Sequence, residues 1–219
     1  MWHRLASIAT ATALLLLTAT PASAGSLFPK RGLVYVESTA HREDNSIWLR
    51  TNGGAALSWY YNYGPLPSPN FNATSQSELE FVPMLWGAPS GESLSDTSFA
   101  DKVKALVKAG RNITHVMAFN EPDGPWDWGG SNIRPDVAAL IWANNFPPLR
   151  DMGIRVSLPS VIGTGDPFAW MTPFLGNCSL YLTQLGNGTT RNCSADFMPV
   201  HVYGSFDDLA GRIATFYNA

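Results

Sequence analysis

Short apolar runs of five to seven residues alternate along this chain with longer segments whose apolar residues recur every three or four positions. The first pattern is that of buried strands and the second that of amphipathic helices. Strands are predicted at Leu33–Glu37, Leu57–Tyr63, Phe81–Trp86, Thr114–Phe119, Ile154–Leu158 and Phe197–Tyr203. Pro83 falls inside the third run, and a proline cannot donate to a strand ladder, so that segment reads as an edge. Helices are predicted at Glu43–Arg50, Thr97–Ala109, Pro135–Arg150 and Pro167–Leu175. A last helix follows a Ser205 cap, with Phe206, Leu209, Ile213 and Phe216 inward. Gly110 closes the Thr97 helix. Pro135 opens the next one, and Pro147-Pro148 is expected to break its final turn.

Strands that alternate with helices make parallel βαβ units. The strands are apolar on both faces, as in a sheet covered on both sides. A doubly wound sheet would place a glycine-rich phosphate turn after its first strand, and none follows Val36. Polar and aromatic residues instead collect where strands end, at Glu37, Asn62, Trp86, Glu121, Ser160, His201 and Tyr203. A β/α barrel does its chemistry at those ends. The fold class predicted is therefore α/β of the (β/α)8 TIM-barrel type. Only about six β/α units can be counted against the eight of a complete barrel, so residues 25–219 read as one catalytic domain truncated at its carboxyl end.

Composition narrows the setting. With a net charge of −3 over 219 residues, no electrostatic case exists for nucleic acid or an anionic membrane. Arg4, the apolar run Ala11–Leu17 and Ala22-Ser-Ala24 have the layout of a cleaved secretory leader, so residues 1–24 are set apart from the fold. No later stretch has membrane-spanning length. Five Asn-x-Ser/Thr sequons, at Asn72, Asn112, Asn177, Asn187 and Asn192, fit a secreted eukaryotic glycoprotein. Cys178 and Cys193, in a segment that reads as a loop, would pair in an oxidising compartment. No histidine or cysteine cluster suits a metal, and no cofactor is expected. The location expected is extracellular or cell wall, and the chain is expected to be a monomer.

The chemistry centres on His115-Val-Met-Ala-Phe-Asn-Glu-Pro-Asp123. This apolar strand delivers Asn120-Glu121-Pro122 into a loop. A carboxylate there is costly to bury without a partner, which makes Glu121 a candidate general acid/base. Pro122 should hold Glu121 extended, and Asn120 could hydrogen-bond a substrate hydroxyl. Asp123 reads as support for the turn. His201 and Tyr203, two apart on a strand, would share a face. The chain has eight Trp, seven Tyr and eleven Phe. Trp86, Trp126, Trp128 and Trp170 could be flat surfaces for sugar rings, although packing accounts for at least half of such residues.

Lys30-Arg-Gly-Leu33, Trp59-Tyr-Tyr-Asn62, Phe81-Val-Pro-Met-Leu-Trp-Gly87, Phe119-Asn-Glu-Pro-Asp123, Leu158-Pro-Ser160 and His201-Val-Tyr-Gly204 together resemble glycoside hydrolase family 128. These are fungal β-1,3-glucanases with the alkali-sensitive-linkage-protein-like glycosyl hydrolase catalytic domain. The resemblance runs in order over nearly all of residues 30–219. It implies a (β/α)8 barrel and an endo-acting, retaining attack on cell-wall or storage β-1,3-glucan. Asn120 and Glu121 match the family's acid/base motif, and His201 and Tyr203 its strand-six motif. Asn62, Trp86, Trp126 and Trp128 are then expected to line the substrate site. The family's nucleophile is a Glu in a Trp-x-Thr-Glu-like segment ending strand seven, and no such segment occurs here. The expectation is a secreted glycoside hydrolase-like protein that carries only the acid/base half and has little hydrolytic activity. Two alternatives stand beside it: a non-catalytic β-glucan-binding protein, and a retaining glycosidase of the same clan acting on a β-1,4-linked polysaccharide.

Overall fold

The computed structural model describes residues 31–43, 47, 57–89, 93–163, 165–186 and 192–218. The leader, Asn187 and most of the Glu43–Arg50 helix lie outside the described residues. Strand β1 (Gly32–Val34), β2 (Trp59–Tyr61) and β3 (Glu80–Phe81) form one parallel sheet in that order. Strand β4 (His115–Val116) pairs with β5 (Arg155–Val156), also in parallel. Parallel bridges Met84–Met117 and Ser157–Phe197 extend the array on either side of β4 and β5. Six consecutive segments thus neighbour one another in chain order. Among the described residues the order shows no reversal of the kind found in a doubly wound sheet.

Pro83 sits inside the array and not at an edge. The missing N–H falls in the gap between β3 and the Met84 bridge, and the Pro83 carbonyl still accepts from Met117 N–H at 2.8 Å. The sixth strand is not formed: only Phe197 bridges, and residues 198–203 are irregular.

Helix α1 (Ser98–Lys108) buries Phe99 and Val103, and Gly110, at φ 88°, turns the chain away. Helix α2 (Pro135–Arg150) lies between α1 and α3 (Phe168–Leu185). It runs through Pro147 and Pro148 without the expected break. Ile141, Trp142, Phe146 and Leu149 are all buried across that turn, and their burial, worth about 1.5–3 kcal/mol per side chain, outweighs the lost backbone bonds. Rings stack from Trp142 to Phe146 (5.3 Å) and on to Phe99 (5.4 Å). Buried Asn145 ties the two helices together: it accepts from Ala100 N–H and donates to the carbonyls of Asp96 and Ile141. Every polar atom of that amide is used, which is the condition for burying it.

Cys178 and Cys193 form a disulfide, as expected. Cys178, however, sits buried on α3 and not in a loop, because α3 continues ten residues past its expected end at Leu175. The last helix, α4 (Phe206–Tyr217), starts at the Ser205 cap with Asp208 closing a capping box. Its apolar stripe does not point inward. Phe206 is 80% exposed and Ile213 is exposed, while Phe216 packs on Phe168. Helical periodicity identified the stripe correctly but could not say what would cover it.

Candidate active site

Strand β4 carries the chain to Asn120, which pairs with Ser160 and donates its N–H to the Trp86 carbonyl at 2.9 Å. Glu121 follows, only 6% exposed. Its φ is 45°, in the left-handed region, so the extended conformation expected from Pro122 is overruled. Hydrogen bonds do this. Glu121 N–H donates to Ser160 carbonyl at 2.7 Å, and the Glu121 carbonyl accepts from Gly124 at 2.9 Å and Ser131 at 3.2 Å. A non-glycine residue held there costs about 1–3 kcal/mol, a strain that clusters at functional sites. Gly130 is required by the same turn: a Cβ there would lie 2.4 Å from the Gly124 carbonyl oxygen. Asp123 clamps the neighbouring loop by accepting from Ile162 N–H (2.9 Å) and Gly163 N–H (2.8 Å). Supporting the turn was the role read for Asp123 in the sequence; its reach across to the loop after β5 was not.

The Glu121 carboxylate accepts a hydrogen bond from His201 Nδ1 at 2.7 Å, and both side chains are largely buried. A cleft of about 430 Å³ opens onto the carboxylate, walled by Tyr63, Trp86, Asn120, Trp128 and Tyr203. Tyr203 is 91% exposed and Trp128 73%, so both present bare rings at the mouth. Burial pushes the Tyr203 phenol upward, and the Glu121 charge and Tyr63 push the same way, so it remains a neutral donor. Tyr61 is raised more strongly, by burial first and then by Tyr63, Tyr203 and Glu121. Tyr63 itself stands at φ 58°.

Seven of the eight residues read as catalytic or substrate-binding fall within this neighbourhood. Asn120, Glu121, Trp86, Trp128 and Tyr203 line the cleft, His201 holds Glu121, and Trp126 packs against Trp86 at 5.4 Å. His201 and Tyr203 arrive there without the shared strand face assumed for them, because that segment is irregular. Asn62 does not join them. Its side chain folds back on its own loop, donating to Leu66 carbonyl and accepting from Gly64 N–H. Trp170, considered as a sugar surface, is instead core: it stacks on Phe174 and donates to Ile133 carbonyl. Among the sequons, Asn72, Asn112 and Asn192 are exposed, whereas the Asn177 amide is engaged with Pro173 carbonyl on α3.

Three buried polar atoms around the turn have no protein partner: Asn120 Oδ1, Ser131 Oγ and Ser160 Oγ. The Asn120 amide nitrogen is fixed on Gly129 carbonyl at 3.0 Å, which leaves Oδ1 free to accept. Sequence reasoning missed Ser131, because nothing marks it as a neighbour of Asn120 before the Trp126–Trp128 turn folds back. Tyr63 was visible as an aromatic but not as part of the site. A larger cavity of about 600 Å³ lies elsewhere, by Arg150, Arg155 and Asp196. The Asp196 carboxylate there is already bound by Arg150 and Val156 N–H, which hold it below the usual carboxylate range. No group of three or more His, Cys, Asp or Glu side chains suited to a metal occurs among the described residues.

A family model, the glycosyl hydrolase catalytic core, matches residues 32–219. Among solved structures, the chain resembles a glycoside hydrolase family 128 (subgroup III) curdlan-specific exo-β-1,3-glucanase from Blastomyces gilchristii, solved with glucose. The two are 29% identical over 86% of this chain and 65% of that one, with a TM-score of 0.54. A subgroup VII oligosaccharide-binding protein from Cryptococcus neoformans is 26% identical over 74% of this chain and 56% of that one, with a TM-score of 0.53. A subgroup II endo-β-1,3-glucanase from Sorangium cellulosum shares the fold, at 23% identity over 86% and 69% of the two chains and a TM-score of 0.59. The chain therefore spans less than two-thirds of the first two relatives' length. No curated protein matches it.

Proposed function

Because the chain belongs to the glycosyl hydrolase catalytic core family, with solved relatives in glycoside hydrolase family 128, we propose that the Glu121 cleft receives a β-1,3-glucan chain and that Glu121 is its general acid/base. The fold that carries it is read as a (β/α)8-type barrel, of which the six ordered parallel segments are wall. One observation carries the reading. A nearly buried carboxylate, held by His201 at 2.7 Å on strained backbone, faces a cleft walled by exposed aromatic rings. Glu121 donates its proton to the glycosidic oxygen as the bond breaks, then takes one from water. Asn120 lines the cleft beside Glu121, and the neutral phenol of Tyr203, exposed at the mouth, donates to a sugar hydroxyl. Sugar rings lie against Trp86 and Trp128.

Retaining hydrolysis also needs a nucleophilic carboxylate about 5–5.5 Å from the acid/base. Glu121 is the only carboxylate among the described residues lining the cleft. That observation favours a second reading, oligosaccharide binding without turnover. Incubation of the purified chain with laminarin separates the two. Release of reducing sugar that disappears in Glu121→Gln supports the enzyme, whereas laminarin binding with no sugar released supports the binding protein. Failure to bind laminarin while binding a β-1,4-glucan would overturn the β-1,3 assignment. We also place the protein outside the cell, on the strength of the leader-like residues 1–24 and a disulfide suited to an oxidising compartment. A secreted product whose amino terminus is Gly25 is the expected result on expression in a eukaryotic host.

A further inference from the structure

The two sequons that bracket the disulfide are built differently. Asn177-Cys178-Ser179 lies within α3, where the Asn177 amide donates to the Pro173 carbonyl at 2.7 Å and Ser179 Oγ accepts from Cys193 N–H at 3.2 Å. Both polar side chains of that sequon are engaged by the fold. Asn192-Cys193-Ser194 lies outside any helix or strand, and Asn192 and Ser194 are both exposed. Both also line the cavity of about 600 Å³ where β5 begins, at the end of the array opposite Glu121. Its floor is apolar, with Trp142, Ile154 and Leu182 buried beneath it. Asp151 and Arg155 are exposed on its rim. Arg150 there is bonded to Asp196 at 3.1 Å. Arg155 acts on Asp196 through its charge, so its guanidinium donors remain for a ligand.

An N-linked glycan begins with N-acetylglucosamine, which has apolar C–H faces, an acetyl methyl and a rim of oxygens. An apolar floor under a rim of guanidinium and carboxylate matches that division, and the volume lies in the usual range for ligand sites. The asparagine that would bear the sugar stands on the same rim, so attachment itself holds the ligand at the mouth at high effective concentration. We propose that Asn192 is a glycosylation site and that this hollow seats the first sugars of its own glycan, with Arg155 as their hydrogen-bond donor. In the attachment the Asn192 amide nitrogen displaces a lipid diphosphate from the anomeric carbon of N-acetylglucosamine. The N–C1 bond forms, the C1–O bond to the diphosphate breaks, and the amide gives up one proton. The donor is a lipid-linked diphospho-oligosaccharide of the host's secretory pathway. Once seated, the glycan ties the segment after the disulfide to the end of α2 and leaves the Glu121 cleft open. The proposal rests on the extracellular placement and not on the glucan reading of that cleft.

The test uses the full chain secreted from a eukaryotic host, with occupancy of each sequon read by peptide mass spectrometry. Asn192 should carry a glycan, and Asn192→Gln and Ser194→Ala should each remove it. An amidase that releases N-glycans is then applied to the native protein. It should free the Asn192 glycan about fivefold more slowly than in Arg155→Ala, the worth of one hydrogen bond at a partly open site. Arg155→Lys, which keeps a donor, should retain most of that protection. After denaturation the native and Arg155→Ala chains should release it at the same rate. A secreted chain with Asn192 bare would overturn the proposal, as would a glycan released equally fast from both folded proteins. None of these measurements involves laminarin, so a failure here is distinguishable from a failure of the Glu121 reading.

Discussion

Two glutamates of this chain each lean on a histidine, at opposite ends of the same row of parallel segments. Glu121 meets His201 at 2.7 Å beyond the carboxyl end of β4. Glu80 meets His115 at 3.4 Å where β3 and β4 begin, with Thr114 bonded to both. The pairs look alike as chemistry, but their surroundings do not. Glu80 lines a cavity of about 180 Å³ with Trp59, Val82, Met117 and Phe197. Around Glu121 the backbone is left-handed, three buried polar atoms await partners, and aromatic rings stand exposed. A carboxylate–histidine pair does not by itself mark a site. Unmet hydrogen-bonding capacity beside strained backbone does, because folding alone gives no reason to keep either.

The largest expected effect breaks the comparison directly. Glu121→Gln keeps size and hydrogen bonding but removes the transferable proton, so on the enzyme reading laminarin hydrolysis falls about 10²- to 10⁴-fold, while Glu80→Gln stays within about twofold of native. Initial rates of reducing-sugar release check it. Equal losses in the two variants would mean that both carboxylates serve the fold.

Smaller effects come from the glycines that lock each end. A Cβ on Gly130 would press into the backbone carbonyls of Gly124 and Glu121, and one on Gly32 would press into the Trp59 ring. Each alanine variant should lose about 1–3 kcal/mol of stability by urea unfolding. Only Gly130→Ala should also weaken laminari-oligosaccharide binding, because only that turn carries Asn120 and Glu121. Asp123→Ala should act likewise and more gently, at about 1–2 kcal/mol, through release of the Ile162–Gly163 loop. An unchanged affinity in both turn variants would separate the turn from the site.

The same contrast explains what could be read before the structure. The Asn-Glu-Pro turn, the aromatic residues near it and the Cys178–Cys193 pair were legible because each is a local or compositional signal. The boundaries of α1 and α2 were legible to within a residue, because periodicity, Gly110 and Pro135 marked them. What failed depended on distant partners. Left-handed Glu121 is imposed by Ser160 and Ser131, against the local preference that Pro122 sets. Continuity of α2 through two prolines is imposed by the core on which it packs. The inward face assigned to α4 assumed a neighbour that periodicity cannot supply. Asn62 looked like a cleft residue because it stands near a strand's carboxyl end and closes the Trp59-Tyr-Tyr-Asn62 motif, yet a bond to Leu66 four residues on captured it.

The smallest effect concerns the charge of Glu80, and it has a definite sign. Burial raises that carboxyl, but the hydrogen bonds from His115 and Thr114 outweigh burial and hold it below its ordinary value. A carboxyl lowered in the folded state stabilises the fold fully above its unfolded pKa, about 4.3 for Glu. It loses that contribution as pH falls through the lower folded value. Native protein should therefore exceed Glu80→Gln in urea midpoint at neutral pH, and the gap should close as pH drops below about 4.3. Parallel curves down to acid pH would make Glu80 a packing residue whose charge is incidental. A closing gap in stability, with laminari-oligosaccharide affinity unchanged by Glu80→Gln at neutral pH, would leave the Glu80 end as structural support and the Glu121 end as the site it supports.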